Sequence, residues 1–302
     1  MFWIIGFYLV VAAITAYELY HAPIMPDDDD EEINNSVENK KIMKEELKNE
    51  HFRHGQLEGG DANDVLRRCA AMPKQESLSD FLPDVWMTGN VTVLHANTGL
   101  GKSILAVQLA EEAACKGHTV IYCDFEMDDT IFYERYSDAR TGEIADLHFL
   151  RLTRNTQGLG SASTTMSELL SDIADAMEHY DADVLVVDSM NFICSRVKER
   201  EVSSLMSKLV TLSKSMGWSL MLVASNSLPE GQTLANLCDA AFAIGATRKS
   251  SEVYIKQTKS RYGHTDDDTV KVCRIVKEGA MTCFSHIRYI DEAKLIYRIV
   301  VR

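Results

Sequence analysis

From residue 90 onward the apolar positions follow two alternating periods. "VTVLHA" (91–96), "TVIYCDF" (119–125), "LHFLRL" (147–152), "DVLVVDS" (183–189) and "WSLMLVAS" (218–225) read as strands. Between them the apolar spacing is helical. It predicts a helix over 102–116, through Ile104, Leu105, Val107, Leu109 and Ala113, and further helices over 128–140, 163–179 and 201–216. Strands alternating with helices predict a parallel sheet with helices on both faces, and the unbroken apolar run in 183–189 suits a strand covered on both sides. After residue 240 the pattern changes to "AAFAIGA", "EVYIKQTK", "TVKVCRIV" and "AMTCFSHI". These four β-rich runs have short connections and are expected to be antiparallel. The fold class is therefore α/β, a parallel core finished by a C-terminal antiparallel β extension.

The chain before residue 90 is less regular. "MFWIIGFYLVVAAITAY" is 17 residues without a charge. At about 1.5 Å per residue this is the lower limit for a bilayer span. It lacks the basic start and small-residue cleavage site of a secretory signal. It reads equally as a membrane anchor, with the rest of the chain in the cytosol, or as either a helix buried against the domain or a partner or the product of a start codon assigned too early. "PDDDDEEINNSVENKK" (26–41) holds six consecutive acids and reads as a solvated linker. A short charged helix over 40–52 and a capped helix in "DANDVLRRCAAM" (61–72) follow, and Pro73 and Pro83 punctuate the approach to the core. The expected organisation is a hydrophobic segment at 1–20, an acidic linker at 21–60, and the α/β domain with a helical lead-in at 61–302.

Charge refines the choice of partner. The 302 residues carry a net −14, but residues 1–60 hold −7, residues 61–195 hold −13 and residues 196–302 hold +6. The basic last third leaves room for an anionic partner. The seven cysteines are dispersed, with no CxxC pair and no His/Cys cluster in sequence. They are expected to be reduced thiols in a cytosolic protein, without a disulfide or a zinc site.

The chemistry starts at "HANTGLGKS" (95–103). Its last eight residues (Ala96, Asn97, Thr98, Gly99, Leu100, Gly101, Lys102 and Ser103) follow the phosphate-binding P-loop pattern, with Ala96 where the first glycine usually stands. Gly99 and Gly101 allow successive N–H groups to point inward at a β-phosphate. Lys102 supplies charge to the β- and γ-phosphates, and Ser103 offers a hydroxyl to Mg²⁺. A strand before and a helix after supply the required context. Asp188 closes "VLVVD", at the strand end where open α/β sheets bind ligands, and is a candidate partner for Mg²⁺. Glu126, at the tip of the next strand along the chain, is a candidate for polarising an attacking water, with Asp124 as fallback. No NKxD base-reading motif of a GTPase is present in the sequence.

This order of motifs resembles the RecA-fold ATPases, and most closely the DnaB-type replicative helicases and the compact RepA-type plasmid helicases. The resemblance covers about residues 85–285. "FEM" (125–127) looks like the DnaB strand-end motif, which implies that Glu126 activates water; Arg135 falls where those proteins also have an arginine. "LVASNS" (222–227) is similar to the family's next strand, which places Asn226 at a γ-phosphate sensor that is typically glutamine. In "IKQTKSRYGH" (255–264), Lys259 and Arg261 followed by Gly263 match a K-x-R pair that reaches into the neighbouring subunit's ATP. The DnaB N-terminal domain has no room in the preceding residues, so RepA-type rings are the nearer comparison.

The resemblance implies a ring, expected to be a hexamer, that binds ATP and Mg²⁺ and acts as a helicase-like motor on single-stranded DNA. Loops at about 190–200 and 227–236 would line its channel. The first carries Arg196, Lys198 and Arg200, alternating basic residues able to follow a phosphate backbone; the second, "SLPEGQTLAN", has no basic residue. A KaiC- or RadA-like ATP-switched assembly, tethered to a membrane or not, is the alternative.

Overall fold

The computed structural model describes residues 52–54, 57–59, 62–71, 74–153, 166–194, 199–225, 237–261 and 269–295. The chain divides into two units, residues 1–73 and 74–302. In the first, β1 (Phe52–His54) and β2 (Leu57–Gly59) form an antiparallel pair, followed by helix α1 (Ala62–Ala70), in which Asp64 pairs with Arg67 one turn on. The hydrophobic segment 1–17, the acidic run, and the helix expected over 40–52 lie outside the described residues, except that Phe52 begins β1. Among the described residues no helix is long and apolar enough to cross a membrane.

The second unit is built on a nine-stranded sheet in the order β11-β10-β9-β8-β3-β7-β6-β4-β5. Its strands are β3 (Val91–Ala96), β4 (Val120–Asp124), β5 (Leu150–Thr153), β6 (Val184–Asp188), β7 (Ser219–Ser225), β8 (Ala240–Ala246), β9 (Val253–Ser260), β10 (Thr269–Glu278) and β11 (Met281–Asp291). The helices are α2 (Lys102–Cys115), α3 (Asp129–Arg135), α4 (Met166–His179), α5 (Met190–Cys194) and α6 (Glu199–Met216). The expected architecture holds. The four runs after residue 240 pair antiparallel in chain order, β8 with β9, β9 with β10 and β10 with β11, and β8 joins this meander to the parallel core by running parallel to β3.

Strand alternation sorts the side chains onto two faces. Val184 and Val186 of β6 pack with Leu105, Leu109, Tyr122 and Phe242 beside α2, whereas Leu185 and Val187 pack with Ile173 and Met177 of α4 and Met206 and Leu209 of α6. The same parity puts Asp188 on the α2 face, with Tyr122 and Asp124 of β4. The helix expected over 128–140 stops at Arg135. The chain turns there instead: Asp138 accepts from the Arg140 N–H, Gly142 has φ 74°, and Ser137 bridges Ile144. Short α5 occupies a stretch expected to be loop.

Candidate nucleotide site

The P-loop leaves the end of β3 and turns through Gly99 (φ 84°) and Gly101 (φ 87°), both in the left-handed region. A Cβ on Gly101 would stand 2.7 Å from Ile275 Cδ1 and 3.1 Å from the Phe284 ring, so the close approach of β10 and β11 also requires glycine. Gly101 is the N-cap of α2 and offers no side-chain cap, which leaves the first-turn N–H groups for an anion. Lys102 Nζ donates to the carbonyls of Ala96 (3.2 Å) and Asn97 (3.3 Å), across the loop it would open for a phosphate. Ala96 is fully buried, so its methyl is absorbed into the core and the turn is kept. Partial burial lowers the Lys102 pKa, and the charges of Glu126 and Asp188 oppose that shift. The structure thus brings Lys102, Glu126 and Asp188 into one electrostatic neighbourhood.

Asp188 is fully buried. Burial raises its pKa to about 6; hydrogen bonding from Tyr122 and Ser103 pulls it down, and Asp124 and Glu126 push it up. Tyr122 donates its phenol to Asp188 Oδ2 at 2.6 Å. Ser103 comes close enough to favour the charged form, yet Asp188 Oδ1 is buried without a partner of hydrogen-bonding geometry. An orphaned carboxylate oxygen on a group that the P-loop serine hydroxyl also approaches offers the donors that Mg²⁺ takes, oxygen ligands from one or two protein groups. The residues therefore fit the ion.

Glu126 is exposed and lies in the bend, Phe125–Glu126, that directly follows β4. Asp124 is not a second base. Its Oδ1 accepts from the N–H groups of Glu126 (3.2 Å) and Met127 (2.9 Å), and its Oδ2 accepts from Arg151 Nε (2.9 Å). Arg151 also donates to Met127 O (2.9 Å) and Asp129 Oδ1 (2.7 Å), and it lies 4.2 Å from the centre of the Phe132 ring. Asp124 and Arg151 hold the loop that carries Glu126. Phe125 N donates to Asp188 O at 2.6 Å, which ties that loop to the end of β6. Arg135 donates to Met127 Sδ at 3.0 Å and so supports the same loop. Neither Arg151 nor Tyr122 was evident as a positioning residue in the sequence, because each reads as an ordinary strand residue; only the pairing of β4 with β5 and β6 discloses them.

Lys259 and Arg261 lie elsewhere. Lys259 pairs with Ala241 of β8, level with Val93, and Arg261 N donates to Asp239 O at 2.9 Å, level with Val91. Five residues of β3, roughly 17 Å at 3.3 Å per residue, separate Val91 from the P-loop of the same chain. Asp239, almost fully buried, accepts from Val91 N at 2.9 Å and from Arg261 Nη1 at 3.4 Å, and also pairs with Lys214. Asn226, Gly263, Arg196 and Lys198 lie outside the described residues, and Arg200 is placed only by its backbone in α6.

Fold and site together define a P-loop ATPase of RecA-like architecture. The chain belongs to the AAA domain family AAA_25, which matches residues 63–224. The chain is similar in structure to a KaiC-like protein of the hyperthermophilic archaeon Pyrococcus horikoshii OT3, at 18% identity and a TM-score of 0.53, over 66% of this chain and 91% of that one. At this identity the likeness is one of fold. No curated protein matches the sequence.

Proposed function

We propose that this chain is a self-assembling ATPase that works as a helicase-like motor on single-stranded nucleic acid. The observation that carries the shared-site part of this reading is the position of Lys259 and Arg261. Arg261 sits at the end of the sheet remote from its own P-loop and Lys259 about 10 Å down β3 from it, which supports a pair that serves ATP hydrolysis by reaching a neighbour's nucleotide. Within one site, Lys102 leaves the Ala96 and Asn97 carbonyls to meet the phosphates, and Glu126 orients the attacking water. Ser103 and Asp188 would hold Mg²⁺, which would supply charge neutralisation at the phosphate oxygens. Asp239 holds the Arg261 backbone and guanidinium in register for the neighbour. Asn226 is the proposed γ-phosphate sensor, and Arg196, Lys198 and Arg200 are proposed to follow the nucleic-acid backbone.

Two measurements test this. Lys102→Ala abolishes hydrolysis, and Glu126→Ala mixed with Arg261→Ala regains part of the wild-type rate, because mixed rings contain some intact sites. No recovery at any ratio overturns the shared site. Replacing Arg196, Lys198 and Arg200 together with alanine lowers the slope of log affinity for single strands against log salt by roughly 2, at about 0.7 per phosphate contact. A second reading, a KaiC-like ATP-switched assembly, is favoured by the absence of any basic residue in 227–236. A hydrolysis rate indifferent to single-stranded DNA at low salt decides for that reading.

A further inference from the structure

The cysteines form no His/Cys cluster in sequence, but the fold makes one at the far end of α2. Glu111 and Cys115 lie one turn apart on the last turns of that helix, and His148 reaches them from the segment leading into β5. One ligand atom from each lies within 4.8 Å of the others. Glu111 Oε2 accepts from the His148 backbone N–H at 2.8 Å, which orients its other oxygen. That oxygen, Oε1, lies 2.6 Å from His148 Nδ1 and 3.3 Å from Cys115 Sγ. The opposite imidazole nitrogen, Nε2, stands 3.8 Å from Asp146 Oδ2.

We propose that Glu111, Cys115 and His148 form a binding site for a borderline divalent metal ion of the zinc type. The donor set carries the argument. A thiolate sulfur, an imidazole nitrogen and a carboxylate oxygen are the three ligand types zinc takes, and three protein ligands leave a fourth position for water. Tetrahedral zinc holds neighbouring N, O and S donors roughly 3.3–3.5 Å apart. The Cys115–Glu111 spacing already meets this, and the Glu111–His148 contact opens by less than about 1 Å to meet it. Metal uptake replaces the thiol proton, which leaves to solvent, and uses the neutral lone pair of His148 Nδ1. Asp146 then faces the distal nitrogen, the carboxylate–imidazole–metal arrangement that orients a ligating histidine.

Two surroundings favour a cation. Glu111 also lines an open hollow of about 490 Å³ in which Glu143, Asp146 and Glu278 join apolar side chains, with no lysine or arginine in its lining. The C-terminal end of α2, with its negative helix-dipole end, points at the same place. Lys116, next in the chain, is turned to Asp80 and the Ser77 carbonyl. The ion would clip the P-loop helix to the start of β5, the strand that carries Arg151. The site does not depend on the nature of the ATP-driven work.

The test uses the full chain, reduced, without nucleotide and with excess Mg²⁺, titrated with Zn²⁺ by calorimetry and with Co²⁺ by absorption. The expected result is one ion per chain, with a thiolate-to-cobalt charge-transfer band and the visible bands of tetrahedral cobalt. A sulfur signal separates this site from Ser103 and Asp188, which offer only oxygen. Cys115→Ser abolishes the band, His148→Ala and Glu111→Gln weaken binding at least roughly tenfold, and Cys69→Ser, at another exposed cysteine, changes nothing. These side chains are at or near the surface, so the variants fold. No bound ion, or a cobalt band that survives Cys115→Ser, overturns the proposal.

Discussion

Asp188 shows how one residue's position sets two opposing demands. Its carboxylate is fully buried at the proposed metal site, and that burial favours the neutral form, raising the pKa from 3.8 to about 6. The folded state therefore holds this proton more tightly than the unfolded chain. The resulting stabilisation is fully present below pH 3.8 and is lost as pH rises through about 6. A shift of this size corresponds to up to about 3 kcal/mol. In nucleotide- and metal-free protein, the stability difference between wild type and Asp188→Asn should therefore move toward the wild type as pH falls from 8 to 5, as read by urea unfolding at each pH. A difference independent of pH would mean that Asp188 titrates normally. Gly101 makes the complementary case. Gly101→Ala adds a left-handed backbone penalty of about 1–2 kcal/mol and pushes on Ile275 and Phe284. The expected outcome is a lowered thermal midpoint together with lost nucleotide binding.

At the scale of elements, the loop after β4 is positioned by strands distant in sequence. Asp124 grips its N–H groups, and Arg151 from β5 ties Asp124 to Met127 and Asp129. Arg151→Ala leaves a buried carboxylate unpaired and should cost roughly 3 kcal/mol. It also loosens Glu126, and a misplacement of about 1 Å can lower turnover up to about a hundredfold. Steady-state kinetics should therefore show a fall in kcat with KM for ATP little changed; an unchanged kcat would show that Glu126 is positioned otherwise. At the other end of the sheet, Asp239 joins β8 to β3 and holds Lys214 and Arg261. Asp239→Ala should destabilise the fold by about 2–3 kcal/mol, the worth of hydrogen bonds to a charged group, as read by chemical denaturation.

At the scale of the molecule, the nine-stranded sheet puts the two halves of the proposed chemistry at opposite ends. The P-loop, Asp188 and Glu126 gather at the C-terminal ends of the parallel strands, where ligands bind in open α/β sheets. Arg261 of the K-x-R pair lies at the other end. An assembly that stacks one end of a subunit on the other end of the next would complete each site. Hydrolysis that rises more steeply than protein concentration, in parallel with oligomer formation measured by sedimentation, is the expected outcome.

The sequence by itself determined the element order, the parallel core and the P-loop. These depend on local period and on glycines at set spacings, which need no partner to be read. It also placed Asp188 at a strand end, since an apolar run ending in an acid is legible along one chain, whereas Glu126 falls two residues past the end of β4. It overestimated α3, because apolar spacing ran on through Tyr136 and Ala139 into the Asp138–Gly142 turn, and it left open that β8 joins the meander to the core by pairing parallel with β3, because strand partners are not written in hydrophobicity. Only the tertiary structure decided that Asp124 is held by Arg151, that Tyr122 bonds Asp188, and that Cys115 meets His148. Each of these contacts joins residues 27 to 66 positions apart. Pairing across a sheet and packing beside it, not spacing along the chain, bring such residues together.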